Sequence, residues 1–174
     1  MVRALFPGTF DPIHYGHIDI AVRASKLFDE IVVAVYDKPI KSLLFKPEER
    51  IELVKKSFTH TPKIQVKGYC GLTVEFCRKI EAKVIVRGLR VFSDFEYEFR
   101  MALANHRLAP NIELVSLITA EEHTFLSSST VKEIASLKGD VSSMVPHHVE
   151  IALIERFKEL GDGQEVVPVT SLRD

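Results

Sequence analysis

The chain has 174 residues, 46% of them hydrophobic, enough to bury one sizeable core and suited to a single domain. Its 23 basic and 24 acidic residues leave a formal charge of -1, which excludes a long-range pull toward nucleic acid or an anionic membrane. Affinity for phosphate must therefore be local. With no basic, apolar leader of the secretory type and no apolar run of the ~18 residues a membrane span requires, a cytoplasmic protein is expected. Cys70 and Cys77 stand in no metal or redox spacing and read as buried or incidental thiols.

Residues 2–6 read as a first strand. The stretch from Phe6 to His17, Phe-Pro-Gly-Thr-Phe-Asp-Pro-Ile-His-Tyr-Gly-His, should then leave that strand in a turn, because Pro7, Gly8 and Pro12 break regular structure. Gly16-His17 opens a helix whose apolar stripe is Ile18, Ile20, Ala21, Ala24, Leu27 and Phe28. A helix start offers free amides and the positive end of the helix dipole, so this junction is a seat for phosphate. His14 and His17 lie three apart, and Gly16 lets the backbone approach a ligand. No cysteine or carboxylate cluster completes a metal set around that pair.

The near-continuous apolar run at residues 30–36 reads as a parallel strand covered on both faces. A polar loop with Lys38 and Lys41 follows. Pro47-Glu48-Glu49-Arg50 has the proline and acids of a first helical turn, continued by Ile51, Leu53, Val54 and Phe58. Strand, helix, strand, helix and strand are then expected at residues 63–67, 72–80, 83–87, 93–108 and 112–118, with two further helices at 129–137 and 146–160. Residues 161–174 read as a polar, weakly ordered tail. The alternation predicts an α/β fold with a parallel sheet and right-handed crossovers, and ligands at the strand carboxyl ends.

Arg87-Gly88-Leu89-Arg90 follows the apolar Val84-Ile85-Val86 and should bring two guanidinium groups to that edge, where a planar fork suits phosphate. The alternative is that both arginines serve salt bridges with Asp94 or Glu98. On the next helix Phe95, Phe99, Ala102 and Leu103 share one face, while Asp94, Glu98, Met101 and Asn105 share another that can look into the site. The apolar face is explained equally by a contact surface and by an internal core. In residues 125–133, Phe-Leu-Ser-Ser-Ser-Thr-Val-Lys-Glu, Ser129 with Lys132 and Glu133 reads as an N-terminal cap. The same amides can grip a triphosphate.

Thr9, His14, Gly16 and His17 resemble the T/H-x-G-H motif of the nucleotidylyltransferase superfamily. The block from Phe6 to His17, the Arg87–Arg100 block and the Ser127–Glu133 block together resemble bacterial phosphopantetheine adenylyltransferase over about residues 2–160. That resemblance implies a Rossmann-like three-layer α/β sandwich with a parallel five-stranded sheet, as one domain over residues 1–160. It also implies transfer of AMP from ATP to 4'-phosphopantetheine, with Mg2+ on the ATP phosphates, coenzyme A as a feedback ligand and a homohexamer. By position His17, Lys41, Thr9 and Arg90 would be catalytic. Thr9, Phe10, His17, Gly88, Leu89, Arg90, Glu98, His123, Thr124, Phe125, Leu126, Ser127, Ser128 and Ser129 would contact ATP, with Glu98 toward the ribose. Thr9, Lys41, Thr73 and Arg87 would contact the acceptor. His123 stands where many relatives carry Trp or Tyr, and Thr73 where a larger apolar residue is usual. The rival readings are a transferase acting on nicotinamide mononucleotide and a noncatalytic nucleotide-binding regulator.

Overall fold

The structure, a computed structural model, describes residues 1–37 and 43–161. Lys38, Lys41 and residues 162–174 of the expected tail lie outside the described residues. Strands β1 (Arg3–Gly8), β2 (Glu30–Tyr36), β3 (Ile64–Tyr69), β4 (Val84–Leu89) and β5 (Glu113–Ile118) form one parallel sheet in the order β3-β2-β1-β4-β5. Between them run α1 (Tyr15–Leu27), α2 (Pro47–Ser57), α3 (Thr73–Lys79) and α4 (Phe92–Leu108), and α5 (Ser128–Ser136) and α6 (His147–Leu160) follow β5.

Side chains alternate across the pleat and divide the core in two. Ala4 and Phe6 of β1, with Ile31, Val33 and Val35 of β2, pack on one face against α1, α2, α5 and α6. Leu5, Val32, Ala34 and Ile85 point the other way, toward Val74 and Cys77 of α3 and toward Ala109 and Ile112. Helices thus cover both faces, which explains why β2 is apolar throughout. Burial pushes the Cys77 thiol up to about 12, as befits a packing residue, and Cys70 is exposed.

The structure corrects two expectations and decides one open alternative. The proline and glycine do not end the first strand: Pro7 and Gly8 stay in β1, paired with Ala34 and Val35 of β2. Pairing with β4, however, covers only Ala4 with Val84 and Leu5 with Ile85. The Pro7 carbonyl accepts from Arg87 Nη1 at 2.9 Å, and a proline has no N–H to continue a ladder on that side. Second, Phe92, Phe95 and Phe99 of α4 are 86%, 49% and 53% exposed, their rings stacked in succession, so the apolar stripe of this helix is an outer face and not a core. Third, the cap of α5 is Ser127, whose Oγ accepts from Thr130 N at 3.0 Å, two residues before the expected Ser129.

The turn after β1 is held by a ring. A Cβ on Gly8 would lie 2.8 Å from Phe10 Cζ and 2.9 Å from Cε2. Phe10 takes a φ of 51°, is 2% exposed, and packs edge-on to Phe6 and His17, so it cannot swing aside. Gly8→Ala should destabilise the fold by about 1–3 kcal/mol, the usual cost of overpacking. A urea-unfolding midpoint equal to that of the parent chain would contradict this account of the turn.

Candidate active site

The order β3-β2-β1-β4-β5 reverses direction between β1 and β4, and the chain leaves their carboxyl ends in opposite directions: α1 covers one face and α4 the other. Such a switch point leaves a crevice. Here it is enlarged on the α4 side into a cavity of about 360 Å³ between that helix and the sheet. Pro7, Gly8, Thr9 and Arg87 line it together with Tyr36, Tyr69, Leu72, Thr73, Tyr97 and Met101. Glu98, Met101 and Asn105 line it from α4, as their spacing predicts, while Asp94, expected on the same face, does not line it and pairs with Arg90 instead. Thr73 Oγ1 is 3.1 Å from Tyr69 Oη, a pairing that orients both hydroxyls in the wall.

Both arginines of the Arg87–Arg90 block are held by carboxylates. Arg87 donates through Nε and Nη2 to Glu98 at 2.9 and 2.6 Å, and Arg90 donates through Nε and Nη2 to Asp94 at 3.0 and 3.2 Å. The salt-bridge alternative is therefore present, and it does not exhaust either group. With one further bond each, to the Pro7 and Leu126 carbonyls, the guanidinium groups use three of five N–H donors on described residues. The remaining donors can serve an anion. Glu98 is 8% exposed with its oxygens on Arg87, which places it with the cavity rather than with α5.

On the other side of the crevice lies the start of α1. His14 and His17 stack with ring centroids 3.7 Å apart, and the His14 backbone N–H donates to His17 Nδ1 at 3.3 Å. Burial, reinforced by the charges of Arg90 and His123, pushes His14 down to about 3. Burial also holds His17 well below the ordinary histidine value, with His14, Arg90 and Arg87 adding to it. Both rings are neutral near pH 7. Since Nδ1 of His17 accepts, its proton sits on Nε2, which is a donor. His14 Nδ1 is buried and has no hydrogen-bond partner among the described residues. A Cβ on Gly16 would come within 3.1 Å of that ring, so the glycine provides its room.

The segment before α5 closes the crevice. Arg90 Nη1 donates to Leu126 O at 2.7 Å and Ser128 Oγ donates to Pro12 O at 2.9 Å, joining it to β4 and to the loop after β1. His123 is half-buried, its ring stacked at 6.4 Å on Tyr15, while Thr124 bonds back to Ala120 and Phe125 is 60% exposed. Phe10 and Leu126 have their side chains in the interior, so only their backbones face the crevice. Gly88 packs against Ile20 and Leu89 closes β4, where its carbonyl accepts from Thr119 N. Two buried charges escaped the sequence reading. Asp11 is 2% exposed and Arg50 fully buried, and both bind the loop after β1 or its neighbours.

With this geometry in hand, the comparisons with known proteins are direct. The Cytidylyltransferase-like family matches residues 5–134. A phosphopantetheine adenylyltransferase of Roseiflexus sp. is 51% identical over 153 residues, covering 88% of this chain and 96% of the relative. Those of Herpetosiphon aurantiacus and Gloeobacter violaceus are 49% and 51% identical over 91% and 88% of this chain, with 96% of each relative covered. The chain belongs to the phosphopantetheine adenylyltransferase family. The fold is also shared with a solved structure from Vibrio parahaemolyticus described as a nicotinate-nucleotide adenylyltransferase, at a TM-score of 0.66 with 16% identity, covering 88% of this chain and 99% of that one. In this family member no described helix is long and apolar enough to cross a membrane.

The neutral histidines give the site a pH signature. An unfolded histidine titrates near 6.5, while folded His14 does so near 3, so between these values the unfolded chain binds the extra proton. Stability contributed by the neutral ring is complete above pH 6.5 and falls as pH drops toward 3, with a slope of up to about 1.4 kcal/mol per pH unit. His14→Asn should flatten the stability profile between pH 6 and 4 relative to the parent. Parallel profiles from urea unfolding would show that the ring titrates freely.

Proposed function

We propose that this chain transfers the adenylyl group of ATP to 4'-phosphopantetheine, giving dephospho-coenzyme A and pyrophosphate. The observation that carries this reading is the junction of two unlike half-sites at one switch point. One is a helix start with two neutral histidines, and the other is a cavity of about 360 Å³ lined by Arg87 and by aromatic and apolar side chains. ATP phosphates suit the first, where α1 amides, Arg90 and the Ser127–Ser129 segment converge. The acceptor phosphate suits Arg87 in the second, with its arm against Tyr69, Leu72, Thr73 and Met101.

In the reaction an oxygen of the acceptor phosphate attacks the α-phosphorus of ATP in line. A new P–O bond forms, the bond from the α-phosphorus to the bridging oxygen breaks, and its electron pair leaves with pyrophosphate. A phosphate monoester is largely ionised near neutral pH, with a second pKa of about 6, so no base is needed. What has to be met is negative charge growing on the α-phosphate and the leaving group. His17 Nε2–H is a fixed neutral donor for that charge, with Thr9 and Lys41 assisting.

Magnesium, which customarily keeps waters and substrate phosphates as ligands, fits here as an ion carried on the ATP phosphates, where it neutralises charge. Among the described residues no cluster of three His, Cys, Asp or Glu side chains is arranged to hold a metal. The chain's own donors do the remaining work of orienting the two phosphates.

Pyrophosphate release tests the reading, with ATP present and 4'-phosphopantetheine or nicotinamide mononucleotide offered in turn. Turnover with the second acceptor alone would overturn it. His17→Ala should lower turnover by about 10²–10³-fold, as for loss of one preorganised donor, while ATP affinity changes much less. His17→Gln, which retains a neutral donor, should recover part of the rate. If calorimetry shows ATP binding lost to the same extent as turnover, His17 serves binding and not the transition state.

A further inference from the structure

Arg50 is fully buried on α2, and its guanidinium is satisfied in an unusual way. It donates to the carbonyls of Thr9 at 2.7 Å, Tyr36 at 2.8 Å, Asp37 at 3.4 Å and Phe45 at 3.2 Å. Every one of these acceptors is backbone. Burial works against its charge, and the charges of Asp11, Asp37 and Glu48 work for it. An apolar side chain would fill the same volume without the desolvation cost, so packing does not explain an arginine here. What only a planar five-donor fork can do is bind carbonyls from three chain segments at once. Those segments are the loop after β1, the end of β2, and the approach to α2.

Asp11 supplies the reciprocal half. At 2% exposure, it accepts from Phe45 N at 2.9 Å on Oδ1 and from Leu44 N at 3.0 Å on Oδ2, and Lys132 of α5 donates to Oδ2 at 2.8 Å. The amide and the carbonyl of Phe45 are therefore gripped from opposite sides, by a carboxylate and a guanidinium that both belong to the surroundings of Thr9. Asp37, before the Lys41-bearing stretch of sequence, and Leu44, shortly after it, each have a backbone group on this pair. Neither side chain lines the cavity, but Arg50 binds the carbonyls of two lining residues, Thr9 and Tyr36. Their effect must pass through the backbone they fix.

We infer that Asp11 and Arg50 are positioning residues for adenylyl transfer: they set the spacing between the Thr9 loop, the end of β2 at Tyr36 and Asp37, and the Leu44–Phe45 segment, and hence the approach of the acceptor to the nucleotide. This rests on the proposed reaction. Its consequence is a defect in turnover rather than in nucleotide binding, because the anion seat at α1 lies outside the bonds they make. A misplacement of about 1 Å in a reacting pair can cost on the order of 10²-fold in rate.

The test uses Arg50→Lys, which keeps the charge but not the fork, and Asp11→Asn, which keeps the shape but sets an amide against Leu44 N–H and Lys132. Both should lower kcat by about 10-fold to 100-fold, with the calorimetric Kd for ATP within about threefold of the parent. Hydrogen exchange at the amides of Leu44 and Phe45 should quicken in both variants, including Arg50→Lys, which leaves the Asp11 acceptor in place. Folded variants with parental kcat, or with ATP affinity lost in step with kcat, overturn the inference. So does failure of both to fold, which would make the pair purely structural. A parent protein without turnover would sink the proposed reaction instead. Coupled loss of amide protection would then support the clamp, and unchanged protection in Arg50→Lys would refute it.

Discussion

After Leu5 and Ile85 the ladder between β1 and β4 stops, although both strands continue, and the crevice is the gap they leave. A proline at the point of separation removes the N–H on which pairing would depend, and the side chain of Arg87 occupies the Pro7 carbonyl instead. The outer pairs hold: β1 remains registered with β2 through Gly8, and β4 with β5 through Leu89. The two halves of the sheet are thus rigid up to their ends while their shared seam is open. Helix starts, arginines and the Thr9 loop are all placed by reference to those ends.

The two sides of the seam differ in electrostatic kind. At the start of α1 the two stacked histidines are neutral, because packing makes imidazolium costly and nearby guanidinium charge makes it costlier. Around β4 the two arginines are charged and tied to carboxylates through paired hydrogen bonds. The first kind of group can offer directed donors without reorganising. The second can hold a phosphate firmly while its own position is fixed by a partner.

Much of this was readable from residue order because it depends on local pattern. The unbroken apolar run of β2, Pro47 at a helix start and the loop residues at strand carboxyl ends all carry their meaning within a few positions. The failures were failures of tertiary context. Arg50 follows two glutamates in a first turn and looks like a surface residue; only folding brings four carbonyls around it. Asp11 lies between Phe10 and Pro12, where nothing local announces that two distant amides and a lysine converge on it. The aromatic row of α4 looked as fit for a core as for a surface, because periodicity identifies a face without saying what lies opposite. Pro7 was read correctly as a breaker, but what it breaks is one ladder and not the strand.

The pairing of Arg87 with Glu98, Arg90 with Asp94 and Lys132 with Asp11 has a bearing on ionic strength. These cations bring their own counter-charges, held by contact, so they add little net potential at distances beyond a Debye length of about 10 Å at 0.1 M salt. Polyanions recruited by a positive surface bind ever more weakly as salt rises, through release of condensed ions. A nucleotide held here would instead depend on short, directed bonds made after arrival. Such a site can work amid abundant nucleic acid without being titrated by it, since discrimination begins only where a small phosphate can enter the seam.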